Sequence, residues 1–195
     1  MRKLREKNIN TPEYFDKQFS EKDIETENVL RQEKYMKLIG DRRGRVIELG
    51  CGMSYFPVMA TVLGESWGLD FTPKTIKFLK KRFPNVNYVL GNAMMTAFKD
   101  DFFDIVVSGE LLEHLEVPGA LIAEMNRICK PGGVMILSTP HLEFDDPEHL
   151  WEFEESDLKE LFGEFGSVKV ETVESDIFKG RKYLFAVCEK HSSRG

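Results

Sequence analysis

Five short apolar runs recur through the middle of the chain, separated by stretches with helical spacing. Residues 45–49 (RVIEL), 66–69 (SWGL), 86–90 (VNYVL), 103–107 (FDIVV) and 134–137 (VMIL) are rich in β-branched and aromatic side chains, which predicts strands. Helices are predicted between them over 57–63, 73–83 and 118–128, and a turn over 130–133. In the second helix Thr72 supplies a cap, Pro73 the first position, and Ile76, Phe78, Leu79 and Phe83 an apolar face. Strands that alternate with helices predict a parallel sheet covered on both faces, and near-continuous apolar runs suit strands buried on both sides. After residue 156 the pattern changes to a helix over 156–165 and strands over 168–173 and 183–188. These two are expected to form an antiparallel hairpin at the sheet edge. Ahead of the first strand, residues 11–39 carry Tyr14, Phe15, Phe19, Val29, Leu30, Tyr35, Leu38 and Ile39 in a helical pattern. The expectation is one α/β domain over 1–195, with a helical cap over 1–40 and a doubly wound core over 45–190.

Composition narrows the functional classes. The chain has 195 residues, a net charge of -6, 42% hydrophobic and 31% charged residues, an ordinary balance for a soluble domain. No apolar run is long enough to span a bilayer, and the opening MRKLREKNIN lacks the apolar stretch of a secretory signal. Cys51, Cys129 and Cys188 are odd in number and far apart, which suits free thiols in the cytoplasm. The acidic balance argues against a nucleic-acid partner, since phosphate tracking draws on a basic face. Lys74, Lys77, Lys80, Lys81 and Arg82 form the densest basic group and read as the solvated side of a helix.

The chemistry-bearing residues fall where the predicted strands end, the place where open α/β sheets bind ligands. The segment VIELGCGMS (46–54) puts Gly50 and Gly52 in a turn that can approach a ligand closely, with the Glu48 carboxylate two residues before it. Tyr55 occupies the position of the third glycine in the dinucleotide fingerprint, and the turn has no phosphate-binding lysine. A carboxylate beside a glycine turn suits instead a ligand with an ammonium or sulfonium group.

At these residues the chain resembles the class I S-adenosylmethionine (SAM)-dependent methyltransferases. Glu48, Gly50 and Gly52 match the acid and alternating glycines of their first motif, with Ser54 where a third glycine is common. In the family this loop, which includes Cys51, wraps the methionine part of SAM. The resemblance makes Asp70, followed by Phe71, the acid that holds the ribose hydroxyls. It makes Asn92, Ala93 and Met94 the border of the adenine, although most relatives have aspartate at the position of Asn92. FFDIVVSGELLEHL (102–115) is similar to the fourth-strand motif, which brings Ser108, Gly109 and Glu110 under the methionine moiety. ICKPGGVMILSTP (128–140) is similar to the segment leading into the fifth strand. The resemblance implies a Rossmann-like sheet of about seven strands and is nearest to the small-molecule branch that includes quinone-biosynthesis methyltransferases.

Methyl transfer from a sulfonium chiefly needs alignment, and a base only for an acceptor that keeps its proton. His114, after the fourth strand, and His141, after the fifth, are the candidate bases. HLEFDDPEHLWEF (141–153) is read as a substrate lid that includes His149 and Trp151, with Tyr14 of the N-terminal segment closing from the other side. His141 and His149 lack tight ligand spacing, so no metal is expected. The expected function is SAM-dependent methyl transfer to a small-molecule acceptor by a monomer or homodimer. A SAM-binding protein without turnover and a nicotinamide-dependent oxidoreductase are the alternatives.

Overall fold

The computed structural model describes residues 1–19, 29–142, 146–174 and 180–192. Seven strands form one sheet: β2 (Val46–Leu49), β3 (Ser66–Asp70), β4 (Asn87–Leu90), β5 (Phe103–Gly109), β6 (Cys129–Pro140), β8 (Gly166–Glu174) and β9 (Lys182–Lys190). Their spatial order is β4-β3-β2-β5-β6-β9-β8. The five strands from β4 to β6 run parallel, whereas β9 pairs antiparallel with both β6 and β8. The hairpin expected at the edge is present, and its second strand is the one that joins the sheet. Chain order reverses direction between β2 and β5, so the crevice of the fold opens at their carboxyl ends.

The two faces of the sheet are covered by different helices, as period-two alternation requires. Ile47, Leu49, Val106, Met135 and Leu137 pack with α5 (Pro118–Ile128) and α6 (Glu155–Gly163). Val46, Ile105, Val107, Val134 and Ile136 pack with α2 (Val29–Ile39) and α3 (Phe56–Met59). The α3 helix is short and continues as a 3-10 turn to Val62, which divides the helix expected over 57–63. In α4 (Pro73–Arg82) the buried residues include Ile76 and Leu79, and Lys74, Lys77, Lys80, Lys81 and Arg82 are exposed.

Three local expectations are corrected. The turn over 130–133 lies inside the span of β6: Cys129 pairs with Phe103 and Val134 with Ile105, so the intervening residues loop out of the ladder. Gly132, at φ 76°, permits that excursion. Thr72 precedes α4 but its side chain makes no cap bond. Its backbone N–H donates to Asp70 Oδ1 instead. The chain start is not helical: β1 (Arg2–Lys3) pairs antiparallel with β7 (Trp151–Glu152), supported by an Arg2–Glu152 ion pair. Helix α1 (Pro12–Gln18) and α2 account for the rest of the helical cap, while residues 20–28 of that expected segment lie outside the described residues.

Candidate active site

The cavity at the carboxyl ends of β2, β3 and β5 has a volume of about 950 Å³. Its floor is the turn after β2. Gly50 has φ 67° and Gly52 φ 45°, conformations that favour glycine. A Cβ at Gly50 would come within 2.6 Å of Leu111 Cδ2, whereas one at Gly52 would meet nothing within 4 Å and would project into the open space. The Cys51 N–H donates to Leu69 O at 2.9 Å and ties the turn to β3. Ser54 is buried and its hydroxyl accepts the Phe56 N–H at 3.1 Å, which starts α3. Tyr55 turns away from the cavity, half-exposed, with its ring 5.6 Å from that of Phe83.

Two carboxylates face this floor from neighbouring strands. Glu48 is 2% exposed and Asp70 is 6% exposed, and both line the cavity. Asp70 Oδ2 accepts the Gly52 N–H at 2.9 Å and Oδ1 the Thr72 N–H at 2.8 Å. Burial pushes the Asp70 carboxyl above its ordinary value, and the hydrogen bonds to Thr72, Gly52 and Phe71 work against that shift. Each carboxylate oxygen keeps further acceptor capacity for ligand hydroxyls. Beyond Asp70, Phe71, Asn92, Ala93 and Met94 continue the wall. The Asn92 Oδ1 accepts the Met94 N–H at 2.9 Å, an Asx turn that leaves the side-chain NH2 as its donor toward a ligand. The carbonyl keeps a second lone pair for a ligand amino group.

The opposite wall begins where β5 ends. Gly109 and Glu110 line the cavity, but Ser108 does not: it is 1% exposed and its hydroxyl donates to Leu49 O at 3.0 Å, cross-linking β5 to β2. Glu110 adopts φ 51°, a left-handed conformation costly for a residue with a Cβ, at the mouth of the crevice. Its Oε1 accepts the Ser138 hydroxyl at 2.9 Å and lies 3.8 Å from the Arg31 guanidinium. Ser138 in turn lies 2.6 Å from the Tyr35 hydroxyl. With Ser138 donating to Glu110, Tyr35 is the donor to Ser138. Burial raises the Glu110 carboxyl to about 7, against the pull of Arg31 and with the push of Glu113.

The remaining side is closed by the N-terminal segment. Phe15 of α1 lines the cavity, with its ring 5.8 Å from Phe71 and 6.4 Å from His114. Tyr14, the neighbour chosen from sequence, points the other way: its hydroxyl donates to Glu148 at 2.9 Å and fastens α1 to the segment before β7. Asn10, which sequence reasoning missed, lines the cavity and donates to the carbonyls of His114 (3.0 Å) and Glu148 (2.8 Å). Nothing in the polar run around Asn10 marks it, because its role depends on two carbonyls more than a hundred residues away. Arg31 and Glu116 also line the cavity without a sequence signal.

Of the candidate bases, His114 lines the cavity and His141 does not; His141 bridges to Phe153 at the end of β6. The lid residues also fall outside the lining. His149 is buried behind the wall, its ring 5.0 Å from that of His114. Trp151 lies in β7, where its indole N–H donates to Leu115 O at 2.8 Å and its ring packs on the main core. Residues 143–145 of the expected lid lie outside the described residues.

The donor set is informative about the cofactor. The floor offers two buried carboxylates and a glycine cradle; among the described residues the lining has no lysine, and its Arg31 faces Glu110. It therefore fits a diol and a cationic tail better than a pyrophosphate. Residues 47–137 match the family model described as a methyltransferase domain, a span from β2 to the middle of β6. Over that span the chain is similar to methyltransferase domains. Over 137 residues it is 32% identical to a protein of Mycolicibacterium smegmatis named "Probable S-adenosylmethionine-dependent methyltransferase". That match covers 65% of this chain and 53% of the relative. Over 127 residues it is 31% identical to the demethylmenaquinone methyltransferase of Lysinibacillus sphaericus, covering 61% of this chain and 54% of that one. The chain thus spans about half the length of the curated relatives it matches. Among solved structures, the YcgJ protein from Bacillus subtilis superposes with a TM-score of 0.71 at 16% identity, covering 85% of this chain and 100% of that one. The phosphoethanolamine N-methyltransferase 2 of Haemonchus contortus, solved with S-adenosylhomocysteine, gives 0.71 at 14% identity, covering 84% and 53%. These two show a shared fold. In this shared fold the glycine cradle and Asp70 lie at the carboxyl ends of β2 and β3.

Proposed function

We propose that this chain transfers a methyl group from SAM to a small-molecule acceptor. The observation that carries the reading is the Gly52 cradle, open toward the cavity and hydrogen-bonded through its backbone to a buried Asp70. Asp70 would hold the ribose hydroxyls, Glu48 the cationic methionine end, and Phe71, Asn92, Ala93 and Met94 the adenine. Gly50, Cys51, Gly109 and Glu110 would complete the cofactor wall. SAM, when bound, supplies an activated methyl group on a sulfonium with a neutral leaving group.

The protein's own contribution is alignment and exclusion of water. Phe15, His114 and Leu115 line the cavity together with Leu111, which packs beside Gly50, and the acceptor would lie against this apolar and aromatic wall. His114 is the candidate base at that end. Its Nδ1 faces the Glu148 carbonyl at 3.1 Å, and because a carbonyl only accepts, Nδ1 carries the proton and Nε2 the lone pair. Among the described residues no helix is long and apolar enough to cross a membrane.

Calorimetry with SAM, S-adenosylhomocysteine and NAD tests the reading first. Binding of the two adenosyl compounds and not of NAD is expected; the reverse pattern overturns it. Turnover against a panel of small quinols, phenols and amines then tests the reaction. His114→Ala should lower turnover more than it lowers cofactor affinity.

A further inference from the structure

Behind the His114 end of the cavity lie two further ligating side chains, Glu113 and His149. The ligating atoms of Glu113, His114 and His149 all lie within 4.8 Å of one another. Glu113 and His114 belong to the 3-10 turn Leu112–His114 after β5, whereas His149 comes from the segment before β7. The two segments are joined by the Leu150 N–H to Glu113 O bond at 2.7 Å.

The surroundings orient each group toward the others. Glu113 is 1% exposed, and its Oε2 accepts the Thr139 hydroxyl at 2.8 Å. Its Oε1 is buried without a hydrogen-bond partner and lies 3.8 Å from His114 Nε2. A buried carboxylate oxygen left in this state costs free energy, and such atoms commonly mark an ordered water or an ion. His114 Nδ1 is engaged by Glu148 O, which leaves the Nε2 lone pair on the Glu113 side.

We propose that Glu113, His114 and His149 form a binding site for one divalent transition-metal ion of the Zn²⁺ class. Two imidazole nitrogens and one carboxylate oxygen are a zinc donor set, and three protein ligands leave a fourth position for water or a substrate oxygen. The His114 and His149 ring centroids are 5.0 Å apart at an interplanar angle of 72°. Two imidazoles bound through nitrogen at about 2.0–2.1 Å to one tetrahedral ion place their centroids about 5 Å apart. Donor atoms on such an ion are about 3.3 Å apart, so the Nε2–Oε1 pair closes by roughly 0.5 Å on binding and no pair by more than roughly 1.5 Å. The outer partners of a metal site are also present, because Glu148 O holds the far nitrogen of His114 and Thr139 holds the far oxygen of Glu113. An ion here ties the turn after β5 to the segment before β7, directly behind the acceptor side of the cavity, and it occupies the His114 Nε2 lone pair, so the base role of His114 belongs to the metal-free chain. The site stands independently of the cofactor reading, and His149 is 35 positions from His114, the nearer of its two partners, which is why no sequence spacing announces it.

The test uses the full chain without an affinity tag, stripped with EDTA and titrated with Zn²⁺. One equivalent retained after dialysis and a raised Tm are expected. Replacing Zn²⁺ with Co²⁺ should give the intense visible absorption of a tetrahedral site. Glu113→Gln and His149→Ala should each weaken Zn²⁺ binding by about tenfold or more, while His191→Ala, at an exposed position, should leave it unchanged. Cooperative thermal unfolding of the stripped variants establishes that they are folded. A wild-type chain that retains no Zn²⁺, or a folded His149→Ala chain that binds it as wild type does, overturns the site. Should the variants not fold, the wild-type Co²⁺ spectrum decides: only the weak absorption of octahedral aqueous Co²⁺ refutes the proposal.

Discussion

The Asp70 carboxylate accepts the backbone N–H of Gly52 at 2.9 Å, so the acid at the end of β3 and the glycine turn after β2 form one unit. The carboxylate therefore acts twice, as a brace for the turn and as a face of the cavity.

Two variants separate those roles. Asp70→Ala leaves the Gly52 and Thr72 N–H groups without their acceptor and should cost about 1–3 kcal/mol of stability. It should also weaken S-adenosylhomocysteine binding at least about tenfold, the equivalent of one charge-assisted hydrogen bond. Gly52→Ala meets no protein atom within 4 Å and carries only the penalty of φ 45°, about 1–2 kcal/mol. Its methyl group fills the cradle, so binding should fall while Tm drops by only about 2–8 °C. Unfolding curves and calorimetry on both variants check this; undiminished affinity in Gly52→Ala would place the cofactor elsewhere.

Glu110 predicts a pH dependence of the unliganded chain. Its folded value, about 7, lies above the ordinary 4.5, and the groups facing it are Arg31, Ser138, Glu113 and His114. A raised carboxyl favours the folded state at low pH, and that contribution is lost as pH rises from about 4.5 through about 7. One unit of displacement is worth about 1.4 kcal/mol. The side chain is 19% exposed and Arg31 stands beside it, which holds the effect to about 1–2 kcal/mol. Glu110→Gln should therefore be more stable than wild type at pH 8, with the gap closing toward pH 5. Urea midpoints at the two values measure it, and a gap that widens at pH 5 would reverse the assignment.

Trp151 should behave as a structural residue. Trp151→Phe removes the bond to Leu115 O and should cost about 1 kcal/mol. Trp151→Ala also removes packing against the core and should cost about 2–4 kcal/mol, below the full-burial range because the ring is only half-buried. Neither should shift the Michaelis constant for an acceptor by more than the loss of stability explains. A large rise in that constant with an unchanged Tm would return Trp151 to the lid.

Asn10 holds the carbonyls of His114 and Glu148 together at the cavity wall. Asn10→Ala should loosen the acceptor side, raising the acceptor Michaelis constant about tenfold while cofactor affinity stays within about twofold. Steady-state kinetics together with calorimetry read the two effects apart.

The sequence by itself determined the sheet and the glycine-turn end of the cavity. Period-two and continuous apolar runs are local signals, so β2, β3, β5 and the C-terminal hairpin were legible from residues a few positions apart. Gly50, Gly52 and Asp70 were legible for a related reason: a turn that needs positive φ calls for glycine, and strand ends in this topology converge on one crevice. What only the tertiary structure decided is the opposite side. Phe15 rather than Tyr14 faces the cavity because helical phase and the partner at Glu148 choose between adjacent aromatics. Ser108 turns inward to Leu49, and Trp151 closes a strand with residues 2 and 3. His149 meets Glu113 and His114 through contacts 35 or more positions apart along the chain. Contacts of that range depend on how separate elements dock, and side-chain direction at a docked surface is set by burial and hydrogen-bond partners that no local pattern encodes.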